Sequence, residues 1–512
     1  MATGAEQSAP LTVRALIAWS AAFVFAPTIV FAFWLRPAPA LATVAGMLVA
    51  LAVLIRTPRS DILAARVTRT ELLACLAAAL VVFVLGGGMH FFYGAMDWRQ
   101  RDAVLWDLVR DGAAGGYAFE GHDYVLRAPF GLYMLPMLAG KAFGLEAAHF
   151  ALLAQNAILL GAILCLFLKI GGSSRRVTVM IVYGGLSIVG FAMLTAFTEI
   201  QRQQFVDRFG LDTWHPYLQF TSSLNQFFWV PNHALPAWWL TALVVLRNRG
   251  AIDSATVAAG VVGAMFWSPL VIVPVVVWLA WFVLGDLRRE VASPRLWLAA
   301  LAGACAIPLA IYISVGADTI HNGMAIDLFM FWPLYGLFLT IQLAPAFYVF
   351  ANREDVAPRE DMELWWMAIP VLALLPLVSF GPANDLQTRG AMPSLVVIAF
   401  LLGGLVARPG ALRTPAGRLG WAIVALSSAS ALWAVWSAVS RRPFEISDCT
   451  LVEAHDALGG HKRGVPTNYA VAVERMPGWL LNMDGFKPAP LRWRACWSDI
   501  DERLRPLDPI PK

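Results

Sequence analysis

Long apolar runs alternate with short polar connectors along almost the whole chain. About 20 apolar residues in a helix are enough to cross the hydrocarbon layer of a bilayer, and a helix satisfies its own backbone hydrogen bonds there. The pattern therefore predicts an all-α polytopic membrane protein. About thirteen transmembrane helices are predicted, at residues 15–35, 38–55, 71–92, 148–170, 177–197, 233–247, 252–267, 270–284, 296–315, 327–350, 363–381, 392–407 and 419–440.

Composition supports the same class. Hydrophobic residues make up 59% of the 512 residues and charged residues only 14%, whereas about 25% of the residues of a typical soluble domain are charged. The formal net charge of +4 is small, and the basic residues lie mostly in connectors and towards the C-terminus. We therefore expect membrane lipids as partners and no nucleic acid.

The distribution of basic residues predicts the orientation, because cytoplasmic connectors are enriched in Lys and Arg. With the N-terminus in the cytoplasm, every inside connector is basic, provided that the segment from Gly131 to Gly144 does not cross the membrane. That segment is short and contains Pro136 and Lys141, so we expect it to dip into the outer leaflet. The larger external segments are then 93–130, 198–232, 316–326, 382–391 and 441–512.

The cysteines follow this topology. Cys449 and Cys496 lie in the polar segment after the last predicted span, on the side where a disulfide persists, and we expect them to be bonded. The domain prediction is accordingly a membrane domain, 1–440, followed by a small extracytoplasmic domain, 441–512. The other three cysteines fall in apolar spans and are expected to be small buried hydrophobes: Cys75, Cys165 and Cys305.

The first external loop, 93–147, is the most informative. In its segment MDWRQRDAVLWDLVRD, apolar residues share one broad face of a helix and charged residues are interleaved. This pattern predicts an amphipathic helix at the membrane interface. Asp97 stands at its start, either as an N-cap or as a catalytic carboxylate. The later acidic residues Asp102 and Asp107 are expected on a solvated face or as local partners of the neighbouring arginines.

Cationic residues in the same loop are candidates for binding a phosphate. Arg127 and Lys141 can each reach such a group, or can instead extend to lipid headgroups. Arg101, in the same hydrophilic stretch as Asp97, is counted with them as a substrate-binding candidate.

Two further polar patches border apolar spans. In GPANDLQTRGAMP, Arg389 offers planar, multidentate donors to a phosphate, while Asp385 orients it or contacts sugar hydroxyls. Asn384 beside them is also a substrate-binding candidate. A capped turn with an interfacial arginine is the alternative. In NQFFWVPNHALPAWWL, His233 is a candidate for the acceptor site, although a single interfacial histidine is more often structural. The tryptophans beside it are typical of an interfacial aromatic belt.

The order of these features resembles a known family. An apolar span, the Asp97-Trp98 dipeptide, an amphipathic helix, a connector and the segment LRAPFGLYMLPMLAGKAFG follow one another as in the N-terminal module of the GT-C membrane glycosyltransferases. The resemblance is strongest over residues 71–200. It implies transfer of a sugar from a polyprenyl-phosphate donor on the outer face of a bacterial inner membrane. It also implies that Asp97 is the base for the acceptor.

The absence of several catalytic and nucleotide-binding motifs narrows the range of possible functions. The sequence contains no GxxxxGK[ST], HExxH, CxxC or GxSxG motif, which removes motif support for ATP-driven transport, zinc proteolysis and serine hydrolysis. No cofactor and no metal site are predicted. Acidic residues scattered over one loop, such as Asp97, Asp102, Glu120 and Asp123, are a poor indication of a divalent cation.

The leading hypothesis is thus a glycosyltransferase that moves a sugar from a polyprenyl-phosphate donor to a glycan, lipid or protein acceptor of the cell envelope. Asp97 takes the proton of the acceptor hydroxyl, and Arg389, with Arg127 or Lys141, neutralises the departing phosphate. Two alternatives remain. A polysaccharide polymerase or ligase depends on Arg and His in its large loop, whereas a transporter or flippase carries ionisable residues at mid-membrane.

Overall fold

The computed structural model describes residues 11–197, 210–213, 218–320, 322–324, 331–381, 384–460, 465–489, 491 and 495–497. Over this part of the chain it is mostly helical, as predicted. The longer helices are Val13–Phe31, Pro37–Ile55, Arg69–Leu85, Asp97–Asp111, Met134–Phe143, Leu145–Gly171, Ser174–Val182, Ser187–Phe197, Pro231–Asn248, Ser254–Ala264, Pro269–Gly285, Pro294–Cys305, Ile307–Ser314, Phe331–Ala351, Asp361–Leu374, Met392–Val406, Pro415–Ser427 and Ala429–Ser440. The shorter ones are Asp61–Ala64, Ser223–Trp229, Leu287–Val291, Asp385–Gly390 and Leu451–His455, and the strands are Gly116–Phe119, His122–Leu126, Asn322–Met324, Val378–Phe380 and Ala470–Ala472.

Seven helical segments of the described chain are long and apolar enough to cross a membrane, which supports a multi-pass membrane protein. An eighth crossing is possible if Pro294–Cys305 and Ile307–Thr319, bent by 44°, count as one span. The seven are Val13–Trp34, Pro37–Ile55, Leu145–Gly171, Ser174–Met193, Trp332–Ala351, Asp385–Val406 and Pro415–Ser440. Each apolar run of the sequence coincides with a helix or a pair of helices. Several are shorter than a full crossing, so the number thirteen stays a prediction.

Connectors predicted to share the inner side of the membrane are joined by ion pairs. The Arg249 guanidinium binds both carboxylate oxygens of Asp361, with N···O distances of 2.9 and 2.6 Å, and Arg176 lies 3.6 Å from the same carboxylate. These residues come from connectors that the basic residues assign to one side. The structure therefore groups these connectors as predicted, while the compartment they face stays a prediction.

The helix Asp97–Asp111 forms where expected, but it is not an interfacial helix with a solvated polar face. Asp102 and Asp107 are 2% and 1% exposed, and Arg99 and Arg101 are also buried. The polar face is covered because protein segments pack over it, among them Met134–Phe143 and Leu451–His455. The helix Met134–Phe143 has 10 residues, about 15 Å, and is too short to cross a bilayer.

The C-terminal segment folds onto the loop 93–147, which the sequence predicts to be external. Strand His122–Leu126 pairs antiparallel with Gly116–Phe119 on one edge and with Ala470–Ala472 on the other, giving one three-stranded sheet. The backbone N–H of Arg127 continues this pairing by donating to the carbonyl of Tyr469 at 2.7 Å. The segment also contains the expected Cys449–Cys496 disulfide, with Cα atoms 5.8 Å apart.

Asp107 connects the helix Asp97–Asp111 to the C-terminal segment through a hydrogen bond. Its carboxylate accepts hydrogen bonds from the Tyr117 hydroxyl and, at 2.9 Å, from the backbone N–H of Leu451, and it lies 3.2 Å from Arg110. Burial raises the pKa of Asp107 to about 7, although these three partners lower it. The pKa in the unfolded chain is about 3.9. Between these values the folded state holds more protons than the unfolded state, so the free energy of unfolding falls as the pH rises from about 4 to 7.

The first prediction follows from this shift. From pH 5 to pH 8 the wild-type protein loses about 2 to 3 kcal/mol of stability through Asp107. Asp107→Asn removes most of this loss because an amide does not titrate. Thermal unfolding of the detergent-solubilised protein at both pH values measures the difference. Asp111→Asn is the matched control, since Asp111 binds the same Arg110 from a partly exposed position, and it should keep the wild-type pH dependence. An Asp107→Asn variant with unchanged pH dependence contradicts the prediction.

Candidate functional site

Asp97 occupies the first position of its helix. The N-cap residue is Met96, which makes no side-chain capping bond, so Asp97 is not the N-cap. Its carboxylate is 56% exposed and lies 3.9 Å from the guanidinium of Arg101. The next residue fixes the helix start, because the indole N–H of Trp98 donates to the carbonyl of Phe228 at 2.7 Å. An accessible carboxylate is thus held on a firmly anchored helix end.

Arg101 is one turn further along and is almost fully buried, with 4% of its side chain exposed. It donates from Nη1 to the side-chain oxygen of Asn232 at 3.0 Å. Burial alone lowers the pKa of Arg101, but Tyr133, Tyr469 and the neighbouring carboxylates raise it, and the net direction is upward. Arg101 is therefore a permanent buried cation beside Asp97.

A second carboxylate and guanidinium pair begins the apolar segment Asp385–Val406. Asp385 and Arg389 form an i, i+4 ion pair, and Arg389 Nη1 also donates to the Thr388 hydroxyl at 2.7 Å. The preceding Asn384 is in the left-handed region, with φ of 50°, and its side-chain oxygen accepts from the backbone N–H of Phe380. Asn384 thus shapes the turn. Residues 382 and 383 of this patch lie outside the described part of the chain.

Tyr469, from the C-terminal segment, interacts electrostatically with both pairs. Burial raises the pKa of its hydroxyl, Arg101 and Arg389 lower it, and Asp97 and Asp385 raise it further. The two pairs come from opposite halves of the sequence, yet their charges act on the same hydroxyl.

His233 lies in the same region. Its Nδ1 is 2.6 Å from the Ser268 hydroxyl, and the positive charges of Arg101 and Arg389 both act on its ring. The adjacent Asn232 binds Arg101 directly. The structure therefore brings six predicted residues into one region, namely Asp97, Arg101, His233, Asn384, Asp385 and Arg389.

Two predicted phosphate ligands are not part of this group. Arg127 is 3% exposed and donates from Nη2 to the carbonyl of Thr467 at 2.8 Å, so it ties the loop to the C-terminal segment. Lys141 donates to the carbonyl of Val109 at 3.0 Å. Val109 is twelve residues beyond Asp97, or about 18 Å along the helix axis, which separates Lys141 from Asp97.

Sequence reasoning missed Tyr133 and Tyr469. Both act electrostatically on Arg101, and Tyr133 is 3% exposed. Tyr133 lies within the predicted dip, 131–144, and Tyr469 lies in a polar segment far from the loop. The sequence offers only one signal, the scarcity of tyrosine, with 10 in the whole chain.

Comparisons with protein-family models, with curated proteins and with solved structures gave no match.

The second prediction concerns the partner of the buried cation. Asn232→Leu should lower the free energy of unfolding by about 1 to 3 kcal/mol because a buried donor of Arg101 loses its acceptor. Asn232→Asp, which restores an acceptor of similar size, should retain more stability than the leucine variant. Thermal unfolding of the purified variants compares the two. Equal melting temperatures for the Leu and Asp variants would show that the Arg101 contact is not important for stability.

Proposed function

We propose that this protein is a membrane glycosyltransferase that moves a sugar from a polyprenyl-phosphate donor to an acceptor hydroxyl of the cell envelope. The observation that carries the proposal is an exposed carboxylate, Asp97, that lies 3.9 Å from the buried guanidinium of Arg101. A second guanidinium, Arg389, acts on the same Tyr469 hydroxyl as Arg101. Such a combination suits a reaction that removes a proton from one reactant and leaves a phosphate on the other.

In the proposed reaction Asp97 is the general base. The acceptor hydroxyl gives its proton to the Asp97 carboxylate while its oxygen forms a bond to the anomeric carbon of the sugar. The bond from that carbon to the phosphate oxygen breaks, and polyprenyl phosphate leaves with the electron pair. A single displacement of this kind inverts the anomeric centre. An exposed carboxylate favours the role because the base must be ionised and within about 3 Å of the hydroxyl.

The two arginines are proposed to stabilise the leaving phosphate, whose negative charge grows as the bond breaks. Preorganised cations at a poorly solvated site stabilise developing charge strongly. Arg101 is already desolvated and faces Asp97 at 3.9 Å, which is too long for a strong ion pair. Among the described residues, the contacts of Arg389 are made by Nη1. Its Nη2 can therefore bind a phosphate oxygen while Nη1 keeps the ion pair with Asp385.

The third prediction tests the base. Asp97→Asn should lower transfer from a polyprenyl-phosphate sugar by about 10² to 10⁴-fold, because an amide cannot accept the proton. The decrease should lie in kcat, with KM for the lipid donor little changed. Radiolabelled or fluorescent donors in detergent or proteoliposomes give the rate. Asp123→Asn, an exposed carboxylate of the same loop, is the control and should remain active.

Activity of Asp97→Asn equal to that of wild type contradicts the base assignment and favours polymerase or ligase chemistry. Movement of an intact lipid-linked sugar across the bilayer, without transfer, favours a flippase.

The fourth prediction tests the phosphate contact. Arg389→Met should raise KM for the donor and lower kcat/KM by about 10 to 10³-fold, since a charge-assisted hydrogen bond is lost. Arg389→Lys should recover part of this loss because it keeps the charge but not the planar, multidentate donors. Inhibition by free polyprenyl phosphate, measured with both variants, reports binding of the leaving group directly. An Arg389→Met variant with unchanged inhibition rules out the phosphate contact.

A further inference from the structure

A second polar cluster lies on another face of the helix that begins at Asp97. His90 Nε2 is 3.2 Å from Asp102 Oδ2, and His149 Nδ1 is 3.9 Å from Asp102 Oδ1. One ligand atom from each of the three side chains falls within 4.8 Å of the other two. His90 comes from the loop after Arg69–Leu85, Asp102 from the helix Asp97–Asp111, called the loop helix below, and His149 from the apolar helix Leu145–Gly171.

The polar atoms of this cluster are buried and poorly satisfied. Asp102 is 2% and His149 3% exposed. Among the described residues, both carboxylate oxygens of Asp102 and Nε2 of His149 lack a hydrogen bond of normal geometry. Asn156, 1% exposed, also has a side-chain oxygen without a partner, and it lines the same small cavity as the other three. Buried polar atoms are rarely left unpaired in folded proteins, so the cluster can take a further partner beyond the His90–Asp102 pair.

We propose that His90, Asp102 and His149 bind a divalent transition metal ion, with Zn²⁺ as the best fit. Two imidazoles and one carboxylate are a typical set of protein ligands for zinc. With metal–ligand bonds of about 2.1 Å, the ligand atoms of a tetrahedral site are about 3.4 Å apart, and the two measured distances to Asp102 lie on either side of this value. Asn156 lines the same cavity, and its side-chain oxygen can accept from a water bound in the fourth position.

The backbone and the outer contacts support this ligand set. Met89 and His90 both adopt left-handed backbone conformations, with φ of 56° and 57°, which are uncommon for residues other than glycine. His90 also forms a hydrogen bond with the backbone of Phe444, and metal-binding histidines are usually oriented by such a second bond. His90 is therefore held in an unusual position facing Asp102.

The ion is proposed to position the loop helix. It links the loop carrying His90, the helix that begins at Asp97 and a long apolar helix. Asp97 and Asp102 are five residues apart, about 140° around the helix, so the ion and the Asp97 carboxylate are on different faces. Metal binding here is a separate property and does not rest on the proposed glycosyltransferase activity.

The experiment measures metal in the full-length protein, purified in detergent with a tag that contains no histidine run. Wild type, Asp102→Asn, His149→Gln and the control His122→Ala are stripped with EDTA, reloaded with Zn²⁺, desalted and measured by elemental mass spectrometry. His122 is an exposed histidine of the hairpin formed by strands Gly116–Phe119 and His122–Leu126. Its variant tests whether a histidine outside the cluster contributes adventitious zinc binding. Co²⁺ substitution gives a visible spectrum that reports the ligands without any need for activity.

We expect about one zinc per chain in wild type and in His122→Ala, with a rise in melting temperature on adding Zn²⁺. Asp102→Asn and His149→Gln should bind zinc at least about 100-fold more weakly, because loss of even an outer-shell partner costs 10 to 100-fold. Their melting temperatures should not respond to the ion. The proposal is wrong if wild type binds no zinc and is not stabilised by it, or if both variants keep stoichiometric zinc.

Discussion

The burial of charged side chains along the helix Asp97–Asp111 is the constraint on which the rest of the structure depends. A buried charge is tolerated only when it is paired or hydrogen-bonded. Arg101 donates a hydrogen bond to Asn232, and Asp107 accepts hydrogen bonds from the Tyr117 hydroxyl and from the backbone N–H of Leu451. Each partner comes from a different segment of the chain. Satisfying these groups therefore fixes how the helix Pro231–Asn248, the strand pair Gly116–Phe119 and His122–Leu126, and the C-terminal segment are arranged around one helix. The exposed Asp97 carboxylate takes its position from that arrangement.

The features that could be predicted from the sequence are local ones. Apolar runs locate the helices because a bilayer requires long apolar segments, and the alternation in MDWRQRDAVLWDLVRD locates the loop helix. The pair Asp385 and Arg389 follows from i, i+4 spacing. Cys449 and Cys496 could be paired because no other cysteine lies outside the apolar runs. In each case the feature follows from a short stretch of sequence or from the number and positions of the cysteines.

The features that could not be predicted depend on contacts between distant segments. A helical pattern identifies the apolar face of Asp97–Asp111, but it cannot reveal that protein covers the polar face as well. Asp102 for this reason has His90 and His149 as neighbours instead of water. Tyr469 lies more than 350 residues from Asp97 and 80 from Arg389 in the sequence. Its neighbours Ala470–Ala472 pair with strand His122–Leu126, which attaches it to the segment that carries Asp97. The acceptors of Arg127 are likewise backbone carbonyls of remote residues, Ile313 and Thr467, which its position in the loop does not indicate.

The shared sheet also sets an order of assembly during biosynthesis. A ribosome makes the hairpin strand His122–Leu126 early and the strand Ala470–Ala472 only after all the long helices have been synthesised. Until then one edge of the hairpin is uncovered, Asp107 lacks its Leu451 partner and the Tyr469 hydroxyl is missing from the site. The surroundings of Asp97 are consequently complete only after the C-terminal segment has been made, hundreds of residues after Asp97 itself.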